Sequence, residues 1–352
     1  MNKAALPLLV LAAIAGTAQA QSKVTIYGIM DAAIVGERGG KDGAVTKLTS
    51  GAAAASRIGF TGSEHLGGGL SAFFTLETGA KIDTGQVDAA GSIFNRQALV
   101  GLKGGFGTVA LGRQYTPWHT TLVKLVDPFN TGYAAGAKNL FPHFGSNIRT
   151  SNTLTWFSPR VHGLDLELAY AAGEQRDSTA KRQLGGAIGY IIGPLTMRVA
   201  HNRKNGDATS GFAISRNTLL GLQYKLRNAT LHAGYGIDKG PDSSPLGNPN
   251  NPYGGVAATP SLDGRSLLLG LSAALGPGKL MASVMRRDDR TAFNQDASSW
   301  GIGYLYALSK RTALYAAYAH IRNRNGAGYT VANNTEAGSG DTGYNLGIRH
   351  SF

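Results

Sequence analysis

In the run Leu164-Asp165-Leu166-Glu167-Leu168-Ala169-Tyr170 apolar residues take every second place, while Asp165 and Glu167 share the opposite face. An extended chain with this period of two has one side suited to oil and one suited to water. The phase repeats in Leu195, Met197 and Val199 against Thr196 and Arg198, and in Leu220, Leu222, Tyr224 and Leu226 against Gly221, Gln223 and Lys225. Segments of about ten residues with this alternation have the length of a tilted strand crossing a bilayer.

Sixteen such segments are predicted, at 24–35, 56–66, 70–81, 93–103, 108–114, 150–157, 164–172, 183–192, 195–203, 215–226, 230–238, 264–275, 279–287, 298–307, 313–322 and 342–352. Segments 93–103 and 279–287 alternate poorly, so the residues alone leave the count open by two. Gly67-Gly68-Gly69, 104–107, Gly193-Pro194, 227–229 and Gly276-Pro277-Gly278 read as tight turns. Between them fall long polar connections such as 37–53, 239–263 and 323–340. Short turns at one end and long loops at the other are the asymmetry of an outer-membrane barrel, and an even count returns both termini to the short-turn side.

A soluble β-sandwich or propeller is the alternative for many short strands. Its strands are usually shorter, and an outer face carrying Trp300, Ile302, Tyr304 and Tyr306 would need a second sheet to cover it. No later segment is apolar enough for a spanning helix. In lipid that leaves a closed barrel, because every backbone polar group must find a partner inside the structure.

Residues 1–20 differ from the rest. Met1-Asn2-Lys3 is a short positive start, Ala4 to Gly16 an apolar core, and Ala18-Gln19-Ala20 a small-x-small cleavage signal. The expected reading is a secretory leader removed after Ala20, with the mature chain covering 21–352. A permanent helix would need an apolar run of roughly 20 residues. The absence of cysteine rules out a disulfide framework and thiolate metal sites. A net charge of +13 fits anionic surfaces or solutes, and export argues against nucleic acid. The 50 glycines far exceed the usual share of about 7% yet show no collagen period.

Residues 115–148 form one long stretch between two strands. It carries Trp118, the run from Leu122 to Val126, Asp127-Pro128-Phe129, Phe141 and Phe144, an apolar load that would be costly to leave in water. A loop of this length in a compact fold is usually functional.

Five motifs in this order resemble the general porins of Gram-negative bacteria, and most of all the trimeric porins of β-proteobacteria. They are Val24-Thr25-Ile26-Tyr27-Gly28, the stretch 56–64 beginning Ser56-Arg57-Ile58-Gly59-Phe60, the stretch 96–102 beginning Arg96-Gln97-Ala98, Leu111-Gly112-Arg113-Gln114, and the ending from Gly347 to Phe352. The resemblance spans the whole chain. It implies an all-β, 16-stranded antiparallel transmembrane barrel whose third long loop, here 115–148, folds into the lumen and narrows it.

The same resemblance implies a homotrimer in outer-membrane lipid and lipopolysaccharide, assembled by the barrel machinery with the terminal aromatic Phe352 as signal. It implies passive diffusion of small hydrophilic solutes and ions, without a cofactor. A ladder of wall arginines facing acids on or near the loop carries over to Arg57, Arg96 and Arg149, with Glu77 and Asp127 as the acids. Local phase supports Arg57, which alternates with Ile58 and Phe60, and Arg149, which shares a face with Ser151, Thr153 and Thr155. Arg96 falls in phase with Ala98 and Val100, so its inward placement rests on the resemblance alone. Three arginines against two acids predict a modest anion preference. Lys81, Lys124 and Arg198 read as general lining or loop charges. A substrate-specific channel is the rival within transport. A barrel enzyme would need a nucleophile, base and orienter, and the eight histidines are scattered with no metal-ligand pair among them.

Overall fold

Backbone pairing carries the expected alternation around a complete circle. The computed structural model describes residues 23–40, 43–176, 179–211, 213–245 and 261–352. The leader expected at 1–20, and most of the connection expected at 239–263, lie outside the described residues.

The strands are β1 (Lys23–Gly40), β2 (Gly43–Ser50), β3 (Arg57–Gly67), β4 (Leu70–Lys81), β5 (Gln86–Val87), β6 (Gln97–Gly104), β7 (Gly107–Tyr115), β8 (Arg149–Phe157) and β9 (Leu164–Ala171). They continue as β10 (Gln183–Ile192), β11 (Leu195–Asn205), β12 (Ile214–Lys225), β13 (Ala229–Lys239), β14 (Asp263–Leu275), β15 (Gly278–Asp289), β16 (Ala297–Ala307), β17 (Thr312–Asn323) and β18 (Thr342–Ser351). All pairings are antiparallel, and β18 returns to β1 in a register running from Ile29 opposite Ser351 to Arg38 opposite Thr342. Closure removes the free edges that would otherwise meet lipid.

Eighteen segments occupy sixteen positions around the barrel. The upper part of β1 pairs with β2 and its lower part with β3, so β2 and β3 together form one wall strand interrupted at 51–56. The two-residue β5 only flanks β4. The polar stretch expected as a loop at 37–53 is therefore largely a hairpin. Without β2 the upper half of β1 would lack a partner on one edge, and Gly43, at φ +77°, sits at its turn. The segment expected from residue 93 starts only at Gln97.

Side chains sort as the phase demands. Leu166 and Leu168 are 41% and 53% exposed on the outer face, whereas Glu167 between them is 2% exposed on the inner one. At the short-turn end, Gly67, Gly68 and Gly69 all take positive φ (87°, 57°, 78°), a conformation that side chains disfavour.

The buried core lies inside the barrel, where residues 116–148 cross the lumen. Helix α1 (Pro117–Thr121) begins at a Thr116 cap that accepts the His119 N–H, and a π-helical turn (Leu122–Val126) closes with the Asp127 N–H donating to the Leu122 carbonyl at 2.9 Å. Trp118, Leu122, Val126, Phe129, Leu140 and Phe141 are fully buried. Burial of each such side chain contributes about 1.5–3 kcal/mol.

A comb of glycines makes this possible. A Cβ on Gly221 would stand 2.8 Å from Leu125, on Gly234 2.2 Å from Val126, on Gly270 2.9 Å from Pro128 and on Gly301 2.2 Å from Ala135. These wall positions are bare because the loop occupies the space. The far end of the loop reaches the opposite wall, where the Tyr133 N–H donates to the Ala52 carbonyl at 2.5 Å and its ring meets Tyr315 edge-on.

Candidate functional site

With the loop seated on β10–β16, the facing wall is built from β1, β3, β4, β6, β7, β8 and β18, and the arginines stand there. Register explains their grouping. Tyr27, Gly59 and Glu77 are consecutive partners across β1, β3 and β4. Because Gly59 has no side chain, Tyr27 reaches over it and its hydroxyl donates to Glu77 Oε2 at 2.9 Å.

Glu77 is engaged on every side. Arg96 Nε donates to Oε1 at 2.7 Å, and Arg57 Nε lies 3.6 Å from Oε2. Arg96 also donates from Nη2 to the Tyr115 hydroxyl at 2.7 Å, to which Arg149 Nη2 donates at 3.2 Å. The Arg149 guanidinium lies 4.7 Å above the Tyr115 ring, a cation–π geometry. One carboxylate and one phenol thus hold three guanidinium groups together against their mutual repulsion.

Arg57, Arg96, Arg149 and Glu77 are therefore brought together, although Arg96 is only 5% exposed and Glu77 4%. Arg96 precedes β6, so the strand phase that pointed it outward does not apply to it. Asp127 is not part of this cluster. It is buried, with Oδ1 accepting the Phe129 N–H at 2.9 Å and Oδ2 accepting those of Thr131 and Ala137 at 2.8 and 2.7 Å. Its carboxylate ties the loop to itself and does not face the channel. The sequence offered an acid before Pro-Phe in the right loop, but a side chain two bonds from its own backbone can turn inward as readily as outward. Burial pushes this carboxyl up to about 6.

The cluster borders a cavity of about 700 Å³. Among the described residues its charged lining is Arg57, Arg96, Lys124, Arg149 and Arg349 against the single carboxylate Asp88. Glu77 stands behind the arginines and takes no part in the lining. Asn334 and Thr335, from the connection between β17 and β18, complete the wall, with Thr335 Oγ1 donating to the Ser50 carbonyl at 2.6 Å.

Sequence reasoning did not single out Tyr27, Tyr115 or Arg349 as site residues. Alternation could have supplied two of them: Tyr27 lies between the outward Ile26 and the wall glycine Gly28, and Arg349 follows the outward Ile348. Tyr115 was hidden by a break in register between Gly112 and Gln114, which shifts the phase of β7 before the loop begins. On the loop side His119 stacks on Tyr115 with centroids 4.5 Å apart, and its Nδ1 lies 2.8 Å from His143 Nε2. Burial and neighbouring cations hold His143 down to about 3 and His119 well below its usual value.

The Gram-negative porin family pattern matches residues 7–326. This chain belongs to that family. The porin is 33% identical to outer membrane porin protein 32 of Delftia acidovorans, with both chains covered in full, and 27% identical to an outer membrane porin protein of Bordetella pertussis, again over both chains. Among solved structures, an anion-selective porin from Comamonas acidovorans superposes with a TM-score of 0.76 at 28% identity, covering 94% of this chain and all of that one. The OmpF porin of Salmonella typhi, at 16% identity and a TM-score of 0.69, shares the fold. The porin is accordingly a protein of the Gram-negative outer membrane, where its apolar outer band meets lipid.

Proposed function

We propose that this porin is an anion-preferring diffusion channel for small hydrophilic solutes, with Arg57, Arg96 and Arg149 as the constriction arginines and Glu77 as their counter-ion. The observation that carries the reading is the cavity lining, five cations against one carboxylate. Withdrawal of Asp127 from the lumen strengthens the argument from charge, since the remaining ladder acid, Glu77, is already paired. Charges at a narrow point act on every ion that passes, whereas charges at the rim are screened within a Debye length of about 8 Å. The anion-selective relative from Comamonas acidovorans supports the same sign.

Reversal potentials across a planar bilayer in a potassium chloride gradient test it. Chloride is favoured over potassium in the unmodified porin, and Arg57→Gln with Arg149→Gln moves the ratio towards cations. Potassium preference in the unmodified protein overturns the reading.

The unit that carries the channel is taken to be a homotrimer of chains beginning at Gln21, set in lipid and lipopolysaccharide and assembled through the exposed terminal Phe352. The native mass of the detergent-extracted assembly tests stoichiometry and processing together. A monomer mass, or chains that retain Met1, counts against this part.

A further inference from the structure

Below the arginine cluster lies a second cavity of about 490 Å³ at the short-turn end of β9–β12. Its inner wall carries Asp165, Glu167, Arg198 and Lys225. Most of this charge is already paired. Arg198 bonds Asp165 at 2.6 Å and also Glu167, and Arg160 donates to Asp165 at 2.8 Å.

Two loop residues, Thr120 and Lys124, line both cavities. The Thr120 hydroxyl is engaged by the Thr116 and Pro117 carbonyls at 3.0 Å each. Lys124 is different. It sits in the middle of the π-helical turn, whose Leu122, Leu125 and Val126 are buried, the last two against the glycine comb, and it is itself exposed. Single π turns recur at functional sites because they turn one side chain away from the regular helical face. Among the described residues no carboxylate lies within 4.0 Å of Lys124, nor of Arg149 or Arg349 in the upper cavity, whereas Arg57 and Arg96 have one each and Arg198 has two. Of these carboxylate-free cations Lys124 is the one that lines both cavities.

We infer that Lys124 is a further selectivity-determining cation, an ammonium without a carboxylate partner that passes anions from the upper arginine cavity to the lower one. The guanidinium groups of Arg57, Arg96 and Arg149 above are held by Glu77 and Tyr115 and set a fixed field. An ammonium on a flexible four-carbon stem follows the ion between the two spaces. Lys225, likewise without a carboxylate within 4.0 Å among the described residues, is the next cation below it. The sign of this inference rests on the anion reading proposed above; the place does not.

The chain contains no cysteine, so Lys124→Cys creates a unique thiol. In a salt gradient this variant shows a chloride-to-potassium permeability ratio that falls towards one. Reaction with an ethylammonium methanethiosulfonate restores the ratio, and the ethylsulfonate reagent lowers it further, with each reagent acting from either side of the bilayer. Lys124→Gln reproduces the fall without modification. An unchanged reversal potential in Lys124→Cys and after both reagents overturns the inference, and reaction from one side only overturns the bridging role. If the unmodified porin prefers potassium while the two reagents still shift the potential in opposite directions, the anion reading falls and the position of Lys124 stands.

Discussion

The two halves of the inner wall are made of opposite materials. The half formed by β10–β16 is lined by glycines and covered by the loop. The half formed by β1, β3, β4, β6–β8 and β18 is left open and carries arginines. On the first, removing side chains lets one piece of protein approach another; on the second, adding long side chains narrows what the loop leaves open. Pore width and the arginine charge of the upper cavity are thereby assigned to different strands, while the loop adds charge of its own through Lys124.

Breaking the glycine half has the largest effect. Gly234→Val places methyl groups where Val126 already stands, 2.2 Å from the Cβ position. The loop has to leave its seat, and together with Phe129→Ala, itself a loss of about 3–5 kcal/mol, the change opens the lumen. Single-channel conductance rises in these variants, while unheated samples migrate on detergent gels as the unmodified porin does. Unaltered conductance would mean that the loop does not limit flow.

A change on the arginine half is smaller and leaves width alone. Glu77→Gln removes the counter-ion yet keeps a group that can accept from Arg96. The chloride-to-potassium ratio then rises at nearly constant conductance. A fall in the ratio would show that the guanidinium groups disperse without their carboxylate and that Glu77 matters chiefly as an anchor.

The smallest effect concerns pH and separates the two halves at their contact. His119 and His143 share one proton between facing nitrogens, and protonation of the acceptor would set two N–H groups against each other. Their folded values lie below the ordinary 6.5, so the docking they support is intact above that pH and is lost as pH falls towards 3. Asp127 acts in the opposite sense. Its value near 6 lies above the ordinary 3.8, so its contribution is full below about 4 and lost as pH rises through 6. Lys138, held down to about 7 by burial, is only partly charged at the top of this window and gains its proton as pH falls, in the same sense as the histidines. Two imidazoles outweigh one carboxyl, and acidification from pH 6.5 to 4 increases current noise from loop motion. In a His119→Gln, His143→Gln double variant the sign reverses. Identical noise in both proteins at both pH values would remove the histidines from the account.

Much of the barrel was legible in the sequence because lipid imposes one rule on every strand. Leu166 and Leu168 against Glu167 show it, and so do Leu346 and Ile348 against Asn345. Legibility failed where the rule does not operate. Residues 43–50 pair with β1 where composition suggested a loop, and Arg96 stands just before its strand. The acid Asp127 followed from its place in the loop, but which way it faces is decided by three N–H groups that only the folded loop brings together. The glycine excess was visible from the start, and the purpose of one part of it became plain only when Gly221, Gly234, Gly270 and Gly301 met loop residues.

The pairing of β1 with β18 joins the first described strand to the last, and Gly28 and Phe352 exchange backbone hydrogen bonds at 3.1 Å in both directions. A chain that lacks either β1 or β18 cannot complete this circle. Every intermediate on the way to the folded state has two open strand edges, and the contacts that seal them span almost the whole sequence, the slowest kind to form. A newly exported chain is therefore as vulnerable just before its final residue is placed as it was at the beginning, and must be shielded from its own kind until then.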